Sequence, residues 1–273
     1  MHNIKMIVTD IDGTILPYGE TEFSDNTKKM FSDAKHKGII TVIASGREMV
    51  TIRDLLPQIE NDVDYFIGAN GSFVYDVKNK KYVIDNHIDH KDAFEFNLWS
   101  QSNFNDEGWT ITDDQHIFRS ENKIVPDSWF LKHHVSRLMP NKDFASKIKA
   151  NLISLITITS SNQHYFDETV KWINENENRD LEINSRWSSG WFISRKNVNK
   201  LTAAIELSKL LNIDTSQVIA FGDSENDVEM IEGFNFGIAV KNANDHVKNV
   251  AHQIIDHVEN DAVYHFLKSK KVI

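Results

Sequence analysis

The sequence predicts an α/β protein built on a doubly wound parallel sheet, with a second, smaller α/β domain inserted into it. Short apolar segments alternate with helical patterns at both ends of the chain, and such segments are typical of strands buried on both faces of a parallel sheet. The middle of the chain differs in composition, since all six tryptophans lie in or at the edge of it, at positions 99, 109, 129, 172, 187 and 191. We therefore expect residues 1–85 and 190–273 to form one domain and residues 86–189 to form the insertion.

Each predicted element has a local signal in the sequence. Helices are expected to begin after capping residues such as Ser24, and glycine or proline marks their ends, as at Gly38 and Pro57. In the N-terminal third the signals predict a strand over Ile4–Thr9, a helix from Ser24 to Lys37, a strand over Ile39–Ala44, a helix over Glu48–Leu56 and a hairpin over Val74–Asp85. In the C-terminal third they predict a helix over Asn199–Leu211, a strand over Val218–Phe221, a helix over Asn226–Ile231, a strand over Phe236–Val240 and a helix over Asp245–Val250.

The composition excludes several classes of function. Forty acidic residues against 30 basic ones give a formal net charge of −10, which argues against binding to nucleic acids or anionic membranes, because both require a basic surface. The absence of cysteine excludes a disulfide framework, a thiolate nucleophile and a Cys-ligated metal. Neither a membrane helix nor a signal-peptide core is evident. We expect a cytoplasmic protein, a monomer or weak homodimer, that acts on a small molecule.

The first chemically informative segment directly follows the first predicted strand and runs from Asp10 to Thr14 (DIDGT). Its two carboxylates, two residues apart at a glycine turn, can both face one bound ligand. Like charges held this close are costly unless a cation lies between them, and Mg²⁺ commonly binds one or two carboxylates together with phosphate oxygens. Taken alone, the segment is also compatible with a strand followed by an acidic turn.

A second acidic segment follows another predicted strand and runs from Gly222 to Asp227 (GDSEND). Asp223 and Asp227 are four residues apart across a loop that opens a helix, so they can lie beside the first pair of carboxylates. An acidic helix N-terminus is the alternative interpretation, because the helix dipole favours negative charge there. Two such segments, both after strands and far apart in the chain, favour one shared acidic site.

Groups able to bind an anion also occur at the end of a predicted strand and at the start of a predicted helix. Ser45, Gly46 and Arg47 follow the strand Ile39–Ala44 and offer a hydroxyl, close backbone amides and a helix N-terminus. Lys200 begins a predicted helix and can supply an ammonium group, although most lysines at such positions are solvated surface residues. These groups and the acidic segments together predict a site for a phosphate ester.

The motifs resemble the haloacid dehalogenase (HAD) superfamily of phosphohydrolases. DIDGT, the serine of SGR at Ser45, Lys200 and GDSEND occur in the order and spacing of that superfamily. Its Cof-type branch, with a class IIB α/β cap, is similar in having an Asn-Gly pair like Asn70-Gly71, a segment like Phe236–Val240 and an insertion between the second and third motifs. Leu201 stands where relatives usually have glycine after the lysine, which leaves Lys196 as an alternative. Ala262-Val263 stands where relatives often have Gly-Val. The resemblance implies a Rossmann-like core with the insertion as its cap.

The resemblance also implies a Mg²⁺-dependent phosphatase for small phosphomonoesters, such as sugar phosphates, that works through an aspartyl-phosphate. Asp10 is then the nucleophile, and Asp12 is the general acid and later the base. Mg²⁺ would be held by Asp10, the backbone carbonyl of Asp12 and Asp223, with Asp227 orienting a metal-bound water or the lysine. The implied phosphate or substrate contacts are Ser45, Gly46, Arg47, Asn70, Lys200 and Asn226.

Two other functions use the same residues. A phosphomutase or phosphotransferase would pass the phosphoryl group to a sugar instead of water, and the sequence does not separate it from a phosphatase. A non-catalytic regulatory protein of the same fold is disfavoured, because clustered carboxylates are costly in a site without chemistry. In the cap, Trp187 and Arg186 are candidate substrate contacts, whereas the tryptophans as a group suit the needs of a small core.

Overall fold

The structure is a computed structural model, and it describes residues 3–104, 107–120 and 133–273. The chain divides into two compact units. The first comprises Met1–Gly46, Ile52–Asp85 and Asn199–Ile273, and the second comprises Arg47–Thr51 and Asn86–Val198.

The described elements follow one another in three groups along the chain. The N-terminal group is β1 (Met6–Thr9), α1 (Asp25–His36), β2 (Ile40–Ala44), α2 (Met49–Ile52), β3 (Tyr65–Gly68), β4 (Phe73–Asp76) and β5 (Lys81–Asp85). The middle group is α3 (His90–Asn103), β6 (Gly108–Thr112), β7 (Ile117–Arg119), β8 (Leu138–Pro140), α4 (Phe144–Lys147), β9 (Leu155–Thr159), α5 (Gln163–Asn174), β10 (Leu181–Trp187) and β11 (Gly190–Arg195). The C-terminal group is α6 (Lys200–Leu210), β12 (Val218–Gly222), α7 (Val228–Gly233), β13 (Phe236–Ala239), α8 (Asp245–Val250), β14 (Gln253–Ile254) and α9 (Ala262–Ser269).

The first unit contains an eight-stranded sheet with the strand order β14-β13-β12-β1-β2-β3-β4-β5. The six strands from β14 to β3 run parallel, and β4 and β5 add an antiparallel hairpin at the edge. All residues of β1 and β12 are buried, as expected for central strands covered on both faces. The predicted doubly wound parallel sheet is confirmed.

The second unit contains a six-stranded sheet with the order β10-β11-β9-β6-β7-β8, antiparallel except between β7 and β8. Alternate residues of its strands, including Trp109 on β6 and Trp191 on β11, enter one apolar cluster together with Phe96 of α3 and Trp172 of α5. Trp99 stacks on Trp172 at 5.1 Å between ring centroids. Four of the six tryptophans therefore build this small core, whereas position 129 lies outside the described residues.

Three local features differ from the sequence predictions. The boundary expected at residue 190 lies inside the second sheet, because β11 pairs with both β9 and β10, and the second unit extends to Val198. The helix predicted over Glu48–Leu56 is only the single turn α2 (Met49–Ile52), and the Thr51 hydroxyl accepts a hydrogen bond from the Glu48 amide at its start. Pro57 lies inside a following 3₁₀ turn. The helix predicted over Asn226–Ile231 begins as a 3₁₀ turn and becomes α-helical at Val228.

Most other predicted elements agree with the structure to within two residues at each end. Ser24 caps α1 by accepting a hydrogen bond from the Thr27 amide, and Gly38 follows that helix with a positive φ of 68°. Within the described part of the chain, no helix is long and apolar enough to cross a membrane.

Candidate active site

Three of the predicted site residues follow three neighbouring strands of the first unit. β1 lies between β12 and β2, and Thr9 at its end stands opposite Phe221 and Ile43. Asp10 and Ser45 therefore leave the sheet beside each other, and Asp223 follows β12 at the same edge. All three are at most 5% exposed. Ligands of open α/β sheets bind at this carboxyl edge.

The DIDGT segment forms a tight loop in which glycine is required. Gly13 has a φ of +87°, which side chains other than glycine rarely adopt. A Cβ atom on Gly13 would overlap the Asp223 carboxylate and come within 2.7 Å of the Tyr18 ring. Thr14 adds a hydroxyl 3.3 Å from Asp223 Oδ1. The glycine thus lets the two acidic segments approach each other.

A buried ion cluster links the two acidic segments to α6. Single carboxylate oxygens of Asp10, Asp223 and Asp227 all lie within 4.8 Å of one another. Lys200 Nζ lies 2.7 Å from Asp10 Oδ1 and 2.7 Å from Asp227 Oδ1, and the lysine side chain is completely buried. With all three carboxylates ionised, one ammonium leaves two negative charges in a buried cluster, which is costly unless a proton or a further cation binds.

The position of Lys200 follows from the cap of α6. Asn199 accepts a hydrogen bond from the Thr202 amide, and the Thr202 hydroxyl accepts one from the Asn199 amide, which closes a capping box. Lys200 is thereby the first residue of the helix. Lys196, the alternative left open by the sequence, is half-buried in the second unit, where its amide bonds to the Asp180 carbonyl. Lys200 is the lysine in the acidic cluster.

Asp227 holds both the lysine and the loop that carries Asp223. Its Oδ1 accepts from Lys200, and its Oδ2 accepts from the backbone amides of Asp223 and Ser224, each at 3.0 Å. A Cβ atom on Gly222 would lie 2.5 Å from the Asp227 Cβ, so the glycine before the loop makes room for this carboxylate. Asp227 is fully buried. Its contacts suit a residue that supports Lys200 and the loop that carries Asp223.

The pKa shifts within the cluster agree with its excess of negative charge. Burial raises the pKa of Asp10 well above its ordinary value, against the attraction of Lys200 and with repulsion from Asp227 and Asp223. Burial and the charge of Asp227 raise the pKa of Asp223 to about 7, although hydrogen bonds from Tyr18 and Ser224 oppose the shift. For Lys200, burial lowers the pKa, but the attraction of Asp10 and Asp227 outweighs it and raises the pKa overall.

The donor set fits a hard divalent cation. Three carboxylates from two loops present only oxygen ligands, the type that Mg²⁺ prefers, and one divalent ion would neutralise the two uncompensated charges of the cluster. Asp12 is not among the three carboxylates that converge. A metal contact through its backbone carbonyl, as the family resemblance implies, stays a prediction.

A second group of predicted residues meets beside the end of β2. The Asn70 amide donates to the Ser45 carbonyl at 3.0 Å, and Asn226 Nδ2 donates to Asn70 Oδ1 at 2.8 Å. A Cβ atom on Gly46 would lie 3.2 Å from Asn70 Oδ1 and 3.4 Å from Asn226 Nδ2. Ser45, Gly46, Asn70 and Asn226, distant in sequence, thus form one polar corner.

The backbone around Asn70 is strained. Ala69 and Asn70 have φ angles of 48° and 55°, and Gly71 has 109°; two consecutive left-handed residues that are not glycine cost of order 1–3 kcal/mol each. Asn70 is fully buried, and its Nδ2 has no hydrogen-bond partner within the described part of the chain. An orphaned donor in a strained turn is a common feature of ligand-binding sites.

The remaining predicted contacts lie in the second unit. Arg47 is buried there and belongs to the short stretch Arg47–Thr51. The Arg186 guanidinium lies 3.9 Å above the Phe166 ring, and the Trp187 ring centroid is 4.6 Å from that of Phe192. Their roles as substrate contacts stay predictions.

Sequence reasoning missed Tyr18. Its hydroxyl lies 2.7 Å from Asp223 Oδ2 and 2.9 Å from Ser224 Oγ, although 54% of the residue is exposed. Burial of the hydroxyl and the charge of Asp223 raise the pKa of Tyr18, which keeps it a proton donor. The available signal was the sequence Pro17-Tyr18-Gly19 shortly after DIDGT, which forms a tight turn closed by a hydrogen bond from the Glu20 amide to the Pro17 carbonyl.

Comparisons with known proteins identify the family to which the chain belongs. A family model for haloacid dehalogenase-like hydrolases matches residues 7–267, so the chain belongs to that family. The 5-amino-6-(5-phospho-D-ribitylamino)uracil phosphatase YcsE of Bacillus subtilis is 26% identical over 96% of this chain and 93% of its own length. The putative phosphatase MG265 of Mycoplasma genitalium is 27% identical, over 97% and 98% of the two chains.

Solved structures share the fold. SMU.1108c from Streptococcus mutans superposes with a TM-score of 0.83 at 18% identity, over 99% of this chain and 100% of that one. The HAD subclass IIB sugar phosphatase BT4131 superposes with a TM-score of 0.80 at 18% identity, over 98% and 100%. The family model and the phosphatase relatives confirm the resemblance to Cof-type HAD phosphohydrolases, and the protein is a phosphatase of that superfamily.

Proposed function

We propose that this protein is a Mg²⁺-dependent phosphatase that hydrolyses small phosphomonoesters through an aspartyl-phosphate on Asp10. The observation that carries the proposal is the buried cluster in which Asp10, at the end of the central strand, shares Lys200 with Asp227 and lies beside Asp223. The excess negative charge of this cluster suits one divalent cation, and Lys200 suits an anionic substrate.

In the first step, a carboxylate oxygen of Asp10 attacks phosphorus in line with the ester oxygen. The new bond between the Asp10 oxygen and phosphorus forms as the bond from phosphorus to the ester oxygen breaks. Asp12 gives its proton to the leaving alkoxide, which departs as the alcohol. Asp10 and Asp223 would hold Mg²⁺, which would supply the positive charge that lets two anions approach each other.

In the second step, Asp12 acts as a base and takes a proton from water, whose oxygen attacks the same phosphorus. The bond to Asp10 breaks, the carboxylate is regenerated and inorganic phosphate leaves. Lys200 and the Ser45 hydroxyl donate to phosphoryl oxygens during both steps. Asp227 anchors Lys200 during the transfer, because its Oδ1 lies 2.7 Å from the ammonium nitrogen.

Asn70 is proposed to donate its free Nδ2 to a phosphoryl or substrate oxygen. Its carbonyl oxygen is already occupied by Asn226, which fixes the amide so that the nitrogen is the available end. The cost of the left-handed backbone at Asn70 is then offset by a correctly aimed donor. Gly46 is the residue that leaves space for this pair.

The names of relatives suggest a first substrate to test. YcsE, YitU of Bacillus subtilis and YbjI of Escherichia coli, each 24–26% identical to this chain, are all named as phosphatases of 5-amino-6-(5-phospho-D-ribitylamino)uracil. We propose a phosphorylated sugar or sugar alcohol, free or attached to a small ring, as the substrate class. We expect the enzyme to act in the cytoplasm, as a monomer or weak homodimer.

The test is a phosphate-release screen over phosphorylated sugars, sugar alcohols and that uracil derivative, with Mg²⁺ and with EDTA. We expect release that requires Mg²⁺ and that Asp10→Asn abolishes. The matched control is Asp245→Asn, since the Asp245 side chain is 97% exposed, and it should keep full activity. Undiminished release by Asp10→Asn would refute the nucleophile. Transfer to an added sugar that outpaces release to water would instead identify a phosphotransferase.

A further inference from the structure

We propose that Tyr18 is a positioning residue for Asp223, whose carboxylate its hydroxyl fixes in the orientation that binds the metal. The inference rests on the proposed Mg²⁺-dependent function and extends it to a residue that has no place in the motifs of the sequence. Tyr18 acts through Asp223 and is not assigned a contact with the reacting atoms.

Three hydroxyl groups determine how the Asp223 carboxylate is oriented. Tyr18 and Ser224 both reach Oδ2, at 2.7 and 3.1 Å, and Thr14 reaches Oδ1 at 3.3 Å. The Tyr18 and Ser224 hydroxyls are themselves 2.9 Å apart, so the contacts to Oδ2 close a triangle. The contact from Tyr18 is the shortest of the three.

The turn after DIDGT is built to bring the Tyr18 hydroxyl to this place. The Glu20 amide donates to the Pro17 carbonyl at 3.1 Å, and Gly19 adopts a φ of +91°, which closes the turn. The Tyr18 ring then passes over Gly13, where a side chain would come within 2.7 Å of the ring. Pro17 fixes its own φ on one side of the tyrosine, and Gly19 permits the positive φ that the turn needs on the other.

Core packing does not explain the position of Tyr18. At 54% exposed, it is among the most exposed large hydrophobic residues of the described part of the chain, so little apolar area is gained by holding the ring there. The polar end, in contrast, is inserted between Asp223 and Ser224. The hydroxyl is therefore the part of Tyr18 that accounts for its conformation.

The physical consequence concerns metal affinity. A carboxylate that can rotate loses conformational freedom when it binds a cation, whereas one already held by hydrogen bonds does not. Groups that orient metal ligands typically change metal affinity by 10–100-fold when they are removed. Ser224 and Thr14 still hold Asp223 when the Tyr18 hydroxyl is absent, so we expect the lower end of that range.

The test is Tyr18→Phe, which removes one oxygen and keeps the ring. Titration calorimetry with Mg²⁺, without substrate, should give a dissociation constant about 10-fold higher than for the unmodified protein. At saturating Mg²⁺, kcat and the KM for substrate should stay within about twofold, and the Tm of the metal-free protein should be unchanged. Tyr264→Phe on α9 is the matched control and should bind Mg²⁺ normally.

Four outcomes separate the inference from the proposed function. Unchanged Mg²⁺ affinity in Tyr18→Phe overturns the inference, and so does a raised KM for substrate at normal Mg²⁺ affinity, because Tyr18 would then contact substrate. Failure of the unmodified protein to bind Mg²⁺ overturns the proposed function instead. If Tyr18→Phe is unstable, Ser224→Ala, which removes the other hydroxyl from Oδ2, should show the same loss of Mg²⁺ affinity, and normal affinity there counts against the inference.

Discussion

Replacing Lys200 by methionine should disturb the site more than any other single change to one of its basic groups. The substitution keeps the length of the side chain but leaves Asp10 and Asp227 buried without their shared cation. Each ammonium–carboxylate contact is 2.7 Å long, between side chains at most 7% exposed. At an effective dielectric constant of about 20, each is worth about 6 kcal/mol before desolvation.

Desolvation of the three groups offsets much of that attraction. Removing one partner of a buried ion pair typically costs about 3–5 kcal/mol, and we expect the free energy of unfolding of the metal-free Lys200→Met protein to fall by about this amount. Saturating Mg²⁺ should restore part of the loss, because the cation replaces the missing charge. The value of kcat/KM should fall by at least about 100-fold, since a donor to the transferring phosphoryl group is lost.

Urea unfolding with and without Mg²⁺ measures the first effect, and phosphate release measures the second. Lys196→Met is the matched control and should change neither by more than about 0.5 kcal/mol or twofold. Equal effects of the two substitutions would refute the reasoning, and so would a Lys200→Met protein as stable as the original.

Two further predictions concern the same cluster. Gly13→Ala should cost at least about 1 kcal/mol of stability from strain. It should also weaken Mg²⁺ binding, because the new Cβ displaces the Asp223 carboxylate. Gly38→Ala, at a positive φ of 68° but with open space around it, should show only the strain. In the metal-free protein the pKa of Asp223 is about 7 against an ordinary 3.8, so the folded state keeps a proton that the unfolded chain has released. Its stability should therefore rise as the pH falls from about 8 to about 5, while Mg²⁺ affinity should fall over the same range because the proton competes. Calorimetry with Mg²⁺ and urea unfolding at both pH values measure the two trends. Asp223→Asn should flatten the dependence of stability on pH. A Mg²⁺ affinity that rises at low pH would contradict the role of Asp223 as a metal ligand.

Much of the secondary structure of the first unit could be predicted, because the sequence signals for its helices and strands are local. The helix Asp245–Val250 is found at its predicted bounds, and α1 begins after the Ser24 cap. The meeting of Asp10 with Asp223 follows from a rule of topology rather than from sequence distance, since residues after parallel strands share one edge of the sheet. That rule, applied to two acidic segments, was sufficient to predict the acidic cluster.

Other features depend on tertiary contacts that have no local signal. The apolar run of β11 suits a strand in either sheet, and only its pairing with β9 and β10 assigns it to the second unit. The left-handed backbone at Asn70 and the inward direction of the Tyr18 hydroxyl depend on how loops pack against other segments. A spacing rule between residues does not encode the direction of a side chain in an irregular turn.

The strand order has a consequence for how the chain folds during synthesis. β1 at the N-terminus is flanked on one side by β12, so Met6 pairs with Val218, and this neighbour emerges more than 200 residues after it. The second unit, nearly all of it one continuous stretch, has all its strands available first. The central strand β1 therefore has one unpaired edge until β12 has been synthesised. An unpaired edge is prone to wrong pairing with other chains. Because the four residues of β1 are apolar or β-branched and are buried in the folded protein, early protection of that edge is important for the yield of folded protein.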